Sequence, residues 1–166
     1  DGERARQHLA RIEDAAQKAL MEMRLLLYEL RPPMLEEEGL VGALQQRLNA
    51  VEGRTGVKVR LQVDGEIHLP APVEEELYRI AQEALNNALR HAAATSVAVH
   101  LRADREGLEL DVEDDGAGFD VAAAAARGGL GLASMRERAA ALGSHLELRS
   151  QPGAGTTVKA RVTRRE

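Results

Sequence analysis

The stretch VEEELYRIAQEALNNALRHA, Val73–Ala92, decides the fold and is typical of an amphipathic helix. Pro72 precedes it, glutamates fill its first turn, and Arg90 and His91 fall in its last turn. This order of charges suits the dipole of a helix. At about 100° per residue, one apolar stripe runs along the helix. Its members are Leu77, Ile80, Ala81, Ala84 and Ala88.

A second stripe, which is polar, runs along the edge of the first and consists of Glu83, Asn87 and Arg90. Asn86 and Gln82 point roughly the opposite way. An acid, an amide and a cation in line beside the core could hold a polar ligand against a sheet. The alternative is a solvent-exposed helix edge whose polar side chains hydrogen-bond to each other at i,i+4, because polar residues with this spacing are common in helices.

The composition limits the classes of function. The chain has 166 residues, 44% hydrophobic and 30% charged, which predicts a soluble globular domain with an appendage. Its net charge of -5 and pI near 5.6 argue against nucleic acid as the main partner. It has no cysteine for disulfides or thiolate metal sites, and no apolar run approaches the roughly 18 residues of a membrane span.

The N-terminal part of the chain predicts one long helix over Glu3–Leu30. Apolar residues recur there at alternating steps of three and four, as in a coiled coil. They are Leu9, Ile12, Ala16, Ala19, Met23, Leu26 and Leu30. Such a seam needs a partner helix to bury it. Arg31-Pro32-Pro33 ends the helix, Met34–Leu40 makes a short link, and Gly39–Val51 predicts a second helix.

The rest of the chain mixes strands and helices. Alternating patterns predict strands over Val57–Val63, Ser96–Leu101, Gly107–Val112, His145–Arg149 and Thr156–Val162. A third helix is predicted over Leu132–Leu142. Because the strands are mostly connected by hairpins, we expect an α+β fold of two layers. Its sheet would be mixed and mainly antiparallel, with helices on one face, preceded by the coiled-coil helix.

Three glycine-rich stretches punctuate this domain: Asp114–Phe119, Gly128–Gly131 and Gly153–Thr156. Each alone could be a turn, but glycines also let a backbone approach a ligand closely, and a helix start can bind phosphate. None is a dinucleotide-binding fingerprint, since Val121 stands where the third glycine belongs. None is a P-loop, since no Gly-Lys-Ser/Thr occurs.

These stretches resemble the ATP-binding end of bacterial sensor histidine kinases, of the group that pairs with LuxR-like response regulators. QEALNNALRHA, 82–92, looks like the N box of that family. DDGAGF, 114–119, GGLGLASMRERA, 128–139, and PGAGTTV, 152–158, look like its three glycine boxes. ELRPPMLEEEGL, 29–40, is similar to its linker. The resemblance implies the Bergerat ATPase fold, shared with gyrase and Hsp90.

The resemblance implies ATP and Mg²⁺ as cofactors. Asn87 would hold the Mg²⁺ ion, and Glu83 would be the acidic catalytic residue near it. The ATP-binding residues would be Asn87, Arg90, His91, Asp114, Gly116, Gly118, Gly129, Leu130, Gly131, Thr156 and Thr157. Asp114 would accept a hydrogen bond from the adenine amine, with Thr156 or Thr157 at the adenine end. Residues 120–128 would form a mobile lid.

The resemblance also implies a domain order. Residues 1–31 would be most of the second helix of a dimerisation bundle, 32–39 a linker and 40–166 the ATP-binding catalytic domain. The expected partners are a LuxR-like response regulator and a second copy in the full-length kinase. We expect no nucleic acid, no membrane contact by this region, and a cytoplasmic location even where the parent protein is anchored in a membrane.

One feature departs from the family. Its phosphoacceptor histidine is followed directly by an acid, but the histidines here are followed by Leu or Ala. They are His8, His68, His91, His100 and His145. The acceptor is therefore expected outside this sequence.

Two other functions remain open. One is an anti-sigma-type serine kinase, or a non-catalytic ATP-gated module, on the same fold; the heptad helix and the Leu30-Arg31-Pro32 linker argue against it. The other is a structural interaction module with a degenerate pocket. The intact set of Glu83, Asn87, Asp114 and glycines argues against that.

Overall fold

The structure is a computed structural model that describes residues 33–126 and 130–163. The predicted helix Glu3–Leu30 lies outside the described residues, as do His8 and Gly129. The helices are α1 Pro33–Thr55, α2 Ala71–His91, α3 Val121–Ala126 and α4 Leu130–Ala141. The strands are β1 Lys58–Asp64, β2 Ser96–Ala103, β3 Gly107–Asp114, β4 Leu146–Ser150 and β5 Thr156–Thr163.

The strands form one five-stranded sheet in the order β1-β2-β3-β5-β4. β1 and β2 are parallel, and the other neighbours are antiparallel. The parallel pair is connected through α2, whereas β2–β3 and β4–β5 are hairpins. The mixed, mainly antiparallel sheet predicted from the sequence is confirmed.

One hydrophobic core lies between the sheet and the helices. α2 contributes most to it, and its predicted apolar stripe is at most 5% exposed. α1, α4 and one face of the sheet complete the same cluster. The sheet residues in it are Val97, Val99, Leu101, Leu108, Leu110, Val112, Val158, Ala160 and Val162. This is the two-layer α+β arrangement that the sequence predicts.

The two faces of the sheet differ in chemistry because side chains alternate along a strand. The face toward the helices carries the core residues of β3 and β5. The opposite face carries charged residues, among them Arg102 and Lys159. The Nζ of Lys159 lies 2.7 Å from Oδ2 of the buried Asp111. Register therefore decides which polar residues at the strand ends lie on the helix side.

The first helix differs from the prediction at both ends. The predicted link after Pro33 is helical, since proline fits the first turn of a helix, where its missing N–H has no partner to lose. The helix also continues to Thr55, and Gly56 ends it with φ 72°. Within α1 the helical geometry breaks at Gly39, with φ 65° and ψ -172°.

Candidate functional site

The polar edge of α2 lies toward the end of that helix. Glu83 and Asn87 are half-buried there, one helical turn apart, and Arg90 is exposed. Asn86 has a different environment, since its Oδ1 accepts a hydrogen bond from Nη2 of Arg47 at 2.9 Å. Asn86 is therefore engaged with α1, as expected from its position on the helix wheel, while the metal-binding role of Asn87 stays a prediction.

Asp114, the last residue of β3, lies beside the first residue of β5. Its Cα partner in the sheet is Thr156, and both follow the core-facing alternation of their strands. Oδ1 of Asp114 accepts a hydrogen bond from the backbone N–H of Gly116 at 2.8 Å. Burial raises the pKa of Asp114, although the N–H of Gly116 and the hydroxyl of Thr156 favour its ionised form.

Asp115 points elsewhere and fixes the loop in place. Its Oδ1 accepts hydrogen bonds from the N–H groups of Thr95 and Ser96, each at 2.8 Å. Its Oδ2 accepts from the Thr95 hydroxyl at 2.6 Å. These bonds hold the pKa of Asp115 far below its usual range. The two adjacent acids therefore have distinct surroundings, and Asp114 is the one on the helix side of the sheet.

The first and third glycine stretches pack against each other. A Cβ at Gly118, whose φ is 59°, would collide with the carbonyl oxygens of Gln151 and Gly155. The N–H of Gly153 donates to the carbonyl of Ala117 at 2.6 Å. Both stretches thus need glycine for loop packing, a requirement that exists without any ligand. The predicted room for a base beside Gly118 stays a prediction.

The loop after β3 is also tied to the end of α2. The N–H of Ala117 donates to the carbonyl oxygen of Ala92 at 2.7 Å, and a Cβ at Gly116 would collide with Ala92. This contact brings the end of the helix that carries Asn87 to the strand end that carries Asp114.

The second glycine stretch reaches α2 as well. Gly131 lies in the first turn of α4, against the side chain of Glu83. The place of its missing Cβ is 3.1 Å from the carboxyl carbon of Glu83. Only a residue without a side chain fits there while Glu83 keeps this position. Leu130, beside it, is 57% exposed.

The predicted lid contains a short helix. Oδ1 of Asp120 accepts a hydrogen bond from the N–H of Ala123 at 3.0 Å, which caps α3. Residues 127–129 lie outside the described residues, and ordering of the lid by nucleotide stays a prediction.

The structure brings some of the predicted site residues together and separates others. Asp114, Gly116 and Thr156 are brought together, and so are Glu83 and Gly131. Thr157 pairs with Glu113 and alternates onto the charged face of the sheet, so Thr156 is the threonine beside Asp114. Within the part of the chain that the structure describes, four further predicted residues make no contact with these two sets: Asn87, Arg90, Leu130 and Gly118. The side chain of His91 and the position of Gly129 are not described.

Ser150 is a site residue that sequence reasoning missed. Its Oγ accepts from the N–H of Phe119 at 2.9 Å and donates to the carbonyl of Gly155 at 2.8 Å. It also lies 3.1 Å from Oγ1 of Thr156. A serine at the end of a predicted strand carries no distinctive signal, and only the fold reveals this role.

Residues 33–126 and 130–163 hold no group of three or more acidic, cysteine or histidine residues able to bind a metal ion. Glu83 and Asn87 supply two oxygen donors on one helix edge. Such a pair fits Mg²⁺, which usually takes few protein ligands and completes its shell with water and phosphate oxygens.

A cavity of about 350 Å³ lies at the other end of the sheet. Its walls include Leu69, Leu108, Leu142 and Val162, and it shares no residue with the predicted site.

Comparison with known proteins identifies the family. Residues 73–166, more than half of the chain, match the family described as histidine kinase-, DNA gyrase B-, and HSP90-like ATPases. The chain belongs to this ATPase family. Its fold is therefore the Bergerat fold that the N box and the glycine boxes predicted.

Individual relatives of this ATPase domain are sensor kinases. It is 37% identical to an uncharacterized sensor-like histidine kinase of Chloroflexus aurantiacus, over 95% of this chain and 28% of that protein. It is 36% identical to the sensor histidine kinase LiaS of Bacillus subtilis, over 91% of this chain and 41% of LiaS. The chain thus spans less than half the length of these relatives.

A solved structure agrees with the fold. The ATP-binding domain of PrrB from Mycobacterium tuberculosis superposes with a TM-score of 0.59 at 22% identity, over 76% of this chain and 95% of that domain. Among the described helices, none is long and apolar enough to cross a membrane.

Proposed function

We propose that this chain is the ATP-binding catalytic region of a two-component sensor histidine kinase. The observation that carries the proposal is the half-buried carboxylate of Asp114, held by Gly116 and Thr156 at the edge of the sheet where α2 ends. Membership of the ATPase family and the relatives named as sensor histidine kinases support it.

At the adenine end, Asp114 accepts a hydrogen bond from the exocyclic amine of the base. Gly116 and Thr156 already hydrogen-bond to this carboxylate, but its two oxygens have about four lone-pair sites and can accept from the ligand as well. A carboxylate that is partly desolvated discriminates strongly, because a guanine carbonyl at that place would leave two acceptors facing each other.

At the phosphate end, α2 presents Asn87 and Arg90, with Glu83 one turn earlier. Mg²⁺, when bound with ATP, neutralises phosphate charge. Asn87 would supply an oxygen ligand to it, Arg90 and His91 would neutralise phosphate charge, and Gly129, Leu130 and Gly131 would cover the phosphates. Glu83 would be the acidic catalytic residue near the ion.

The reaction is phosphoryl transfer. The bond between the γ-phosphorus and the β,γ-bridging oxygen breaks, a phosphorus–nitrogen bond to a histidine forms, and ADP leaves while the imidazole loses a proton. A response-regulator aspartate then takes the phosphoryl group. Catalysis of this kind is mostly positioning and charge neutralisation.

The partners follow from the same proposal. The resemblance of residues 29–40 to the linker of kinases paired with LuxR-like regulators favours a regulator of that type. Residues 1–31 are then part of a dimerisation bundle, and the working kinase is a homodimer whose acceptor histidine lies on a helix outside this sequence.

Calorimetric titration with ATP and GTP, each with and without Mg²⁺, tests the proposal. We expect ATP binding that tightens with Mg²⁺ and weak GTP binding. The matched control is the same titration with Asp114→Asn. Equal affinities for the two nucleotides in the unsubstituted chain would refute the adenine site.

A further inference from the structure

We propose that Gly39 and Glu74 form a rigid joint that fixes how the chain enters the ATP-binding unit, and that both are positioning residues for phosphoryl transfer. The inference rests on the proposed kinase function. Its residues lie near the start of α2, remote along that helix from Glu83 and Asn87.

The joint begins with a break inside α1. Gly39 adopts φ 65° and ψ -172°, a combination that essentially only glycine adopts without strain. The break is not a loose link, because Leu35 before it and Leu40 after it are each only 1% exposed. Both sides of the break are therefore anchored in the same core.

Glu74 supplies the partner that the break requires. A helix that restarts at Leu40 has N–H groups without a carbonyl one turn earlier. Oε1 of Glu74 accepts a hydrogen bond from the N–H of Leu40 at 3.3 Å, and the place of a Cβ on Gly39 lies 3.4 Å from the same oxygen. The carboxylate also suits the positive end of the helix dipole.

A second contact holds the later part of α1 on the same helix. Arg47 donates to Oδ1 of Asn86 at 2.9 Å. Glu74 and Asn86 lie near opposite ends of α2, so α1 is fixed to α2 at two separated points. A substitution at Gly39 or Glu74 is therefore expected to shift the position of residues 33–38, before the break, more than that of residues 40–55, after it.

The consequence concerns the transfer step. α2 carries the proposed phosphate-end residues Glu83 and Asn87, and through Glu74 it also holds the start of the ATP-binding unit. The acceptor imidazole must lie in line with the γ-phosphate, and a misplacement of about 1 Å can cost on the order of a hundredfold in rate. The joint sets that alignment without touching the nucleotide.

The test uses the full-length kinase and the variants Gly39→Ala, Glu74→Ala and Glu74→Gln. Each is measured for ATP affinity and for the rate of autophosphorylation at saturating ATP. Two matched controls are available. Gly53→Ala changes a glycine of the same helix where a Cβ has open space, and Glu37→Gln changes an exposed acid two residues before the break.

We expect Gly39→Ala and Glu74→Ala to lose about tenfold or more in transfer rate with ATP affinity unchanged, a pattern that separates positioning from binding, and Glu74→Gln, which keeps an acceptor oxygen, to lose less. The controls should match the unsubstituted kinase. An unchanged rate in folded Glu74→Ala would overturn the inference, and so would an equal loss of ATP affinity. If the unsubstituted kinase fails to bind ATP, the proposed function fails instead. Glu74→Ala removes the acceptor oxygen without changing the backbone at Gly39, so the test stands even where Gly39→Ala does not fold.

Discussion

Asp114 and Thr156 are directly paired residues of β3 and β5, and both alternate onto the side of the sheet that the helices cover. Their neighbours Glu113 and Thr157 form the next pair and alternate onto the charged face. This one-residue register explains why, of two adjacent acids and two adjacent threonines, one of each belongs to the candidate site.

Asp114→Asn is expected to weaken ATP binding with little loss of fold. The amide oxygen can keep the hydrogen bond from Gly116, which turns the NH₂ group toward the adenine amine, so two donors face each other. A mismatch of this kind costs about 1–3 kcal/mol, or roughly five- to 150-fold in affinity. Calorimetry with ATP and GTP measures the loss of discrimination.

Asp115→Asn is the matched control for that substitution. Asp115 accepts hydrogen bonds from Thr95 and Ser96, so this variant should unfold at lower urea concentration while keeping its preference for ATP over GTP. Unchanged ATP affinity in Asp114→Asn would show that the adenine site was assigned wrongly.

The raised pKa of Asp114 predicts that ATP affinity declines on acidification sooner than an ordinary aspartate would allow. Adenine is bound by the ionised carboxylate, and burial makes protonation begin above the usual 3.8. The free energy of unfolding depends on pH in the opposite direction to ATP affinity. The folded state holds this proton more tightly than the unfolded state, so ionisation costs stability as pH rises through the window above 3.8.

Titrations and urea unfolding across that pH range check both signs, with Asp114→Asn as the variant that cannot titrate. Relative to the unsubstituted chain, the variant should gain stability as pH rises. A pH dependence of ATP affinity that is the same in the two chains would contradict the assignment.

Asn87→Ala is expected to abolish the tightening of ATP binding by Mg²⁺, whereas Asn86→Ala should leave it intact. Asn86→Ala should instead lower the free energy of unfolding by about 1–2 kcal/mol, because it removes the hydrogen bond from Arg47. Adding Arg47→Met tests this coupling, since the double variant should cost less than the sum of the two. Equal loss of the Mg²⁺ effect in both asparagine variants would disprove the role of Asn87.

Residues 120–128 are expected to exchange their backbone hydrogens quickly without nucleotide and slowly with it. The described part of this segment has only a six-residue helix, capped by Asp120, and small alanines anchor it weakly. Hydrogen exchange followed by mass spectrometry measures this, with β3 as an internal reference that should stay protected. Equally slow exchange in both states would argue against a lid.

Much of the fold could be predicted because its signals are local. The apolar stripe of α2 and the strict alternation of β2, β3 and β5 each reflect one buried face, so periodicity alone located them. The start of α1 could not be found in this way. A proline such as Pro33 is found both where a helix ends and in the first turn of a helix. Its place in a first turn goes with the burial of Leu35 in the core, which the local sequence does not reveal.

The residues of the candidate site could be predicted only in part, because some of its contacts join residues that are far apart in the chain. Asp114 stands out because an acid precedes glycines at a strand end. The choice between Thr156 and Thr157 depends on sheet register, which involves residues far apart in the chain. Likewise, the requirement for glycine at 118 and 155 arises where two distant loops meet.

Radiolabelled ATP tests the central claim, that this chain binds and positions ATP for transfer to a histidine it does not carry. The chain is incubated with γ-labelled ATP and Mg²⁺, alone and after extension by the upstream helix of the full-length kinase. We predict nucleotide binding without labelling for the chain alone, and acid-labile label on the extended chain, because in-line placement of the acceptor supplies much of the catalysis. Acid-labile label on the chain alone would contradict the account and direct attention to His8.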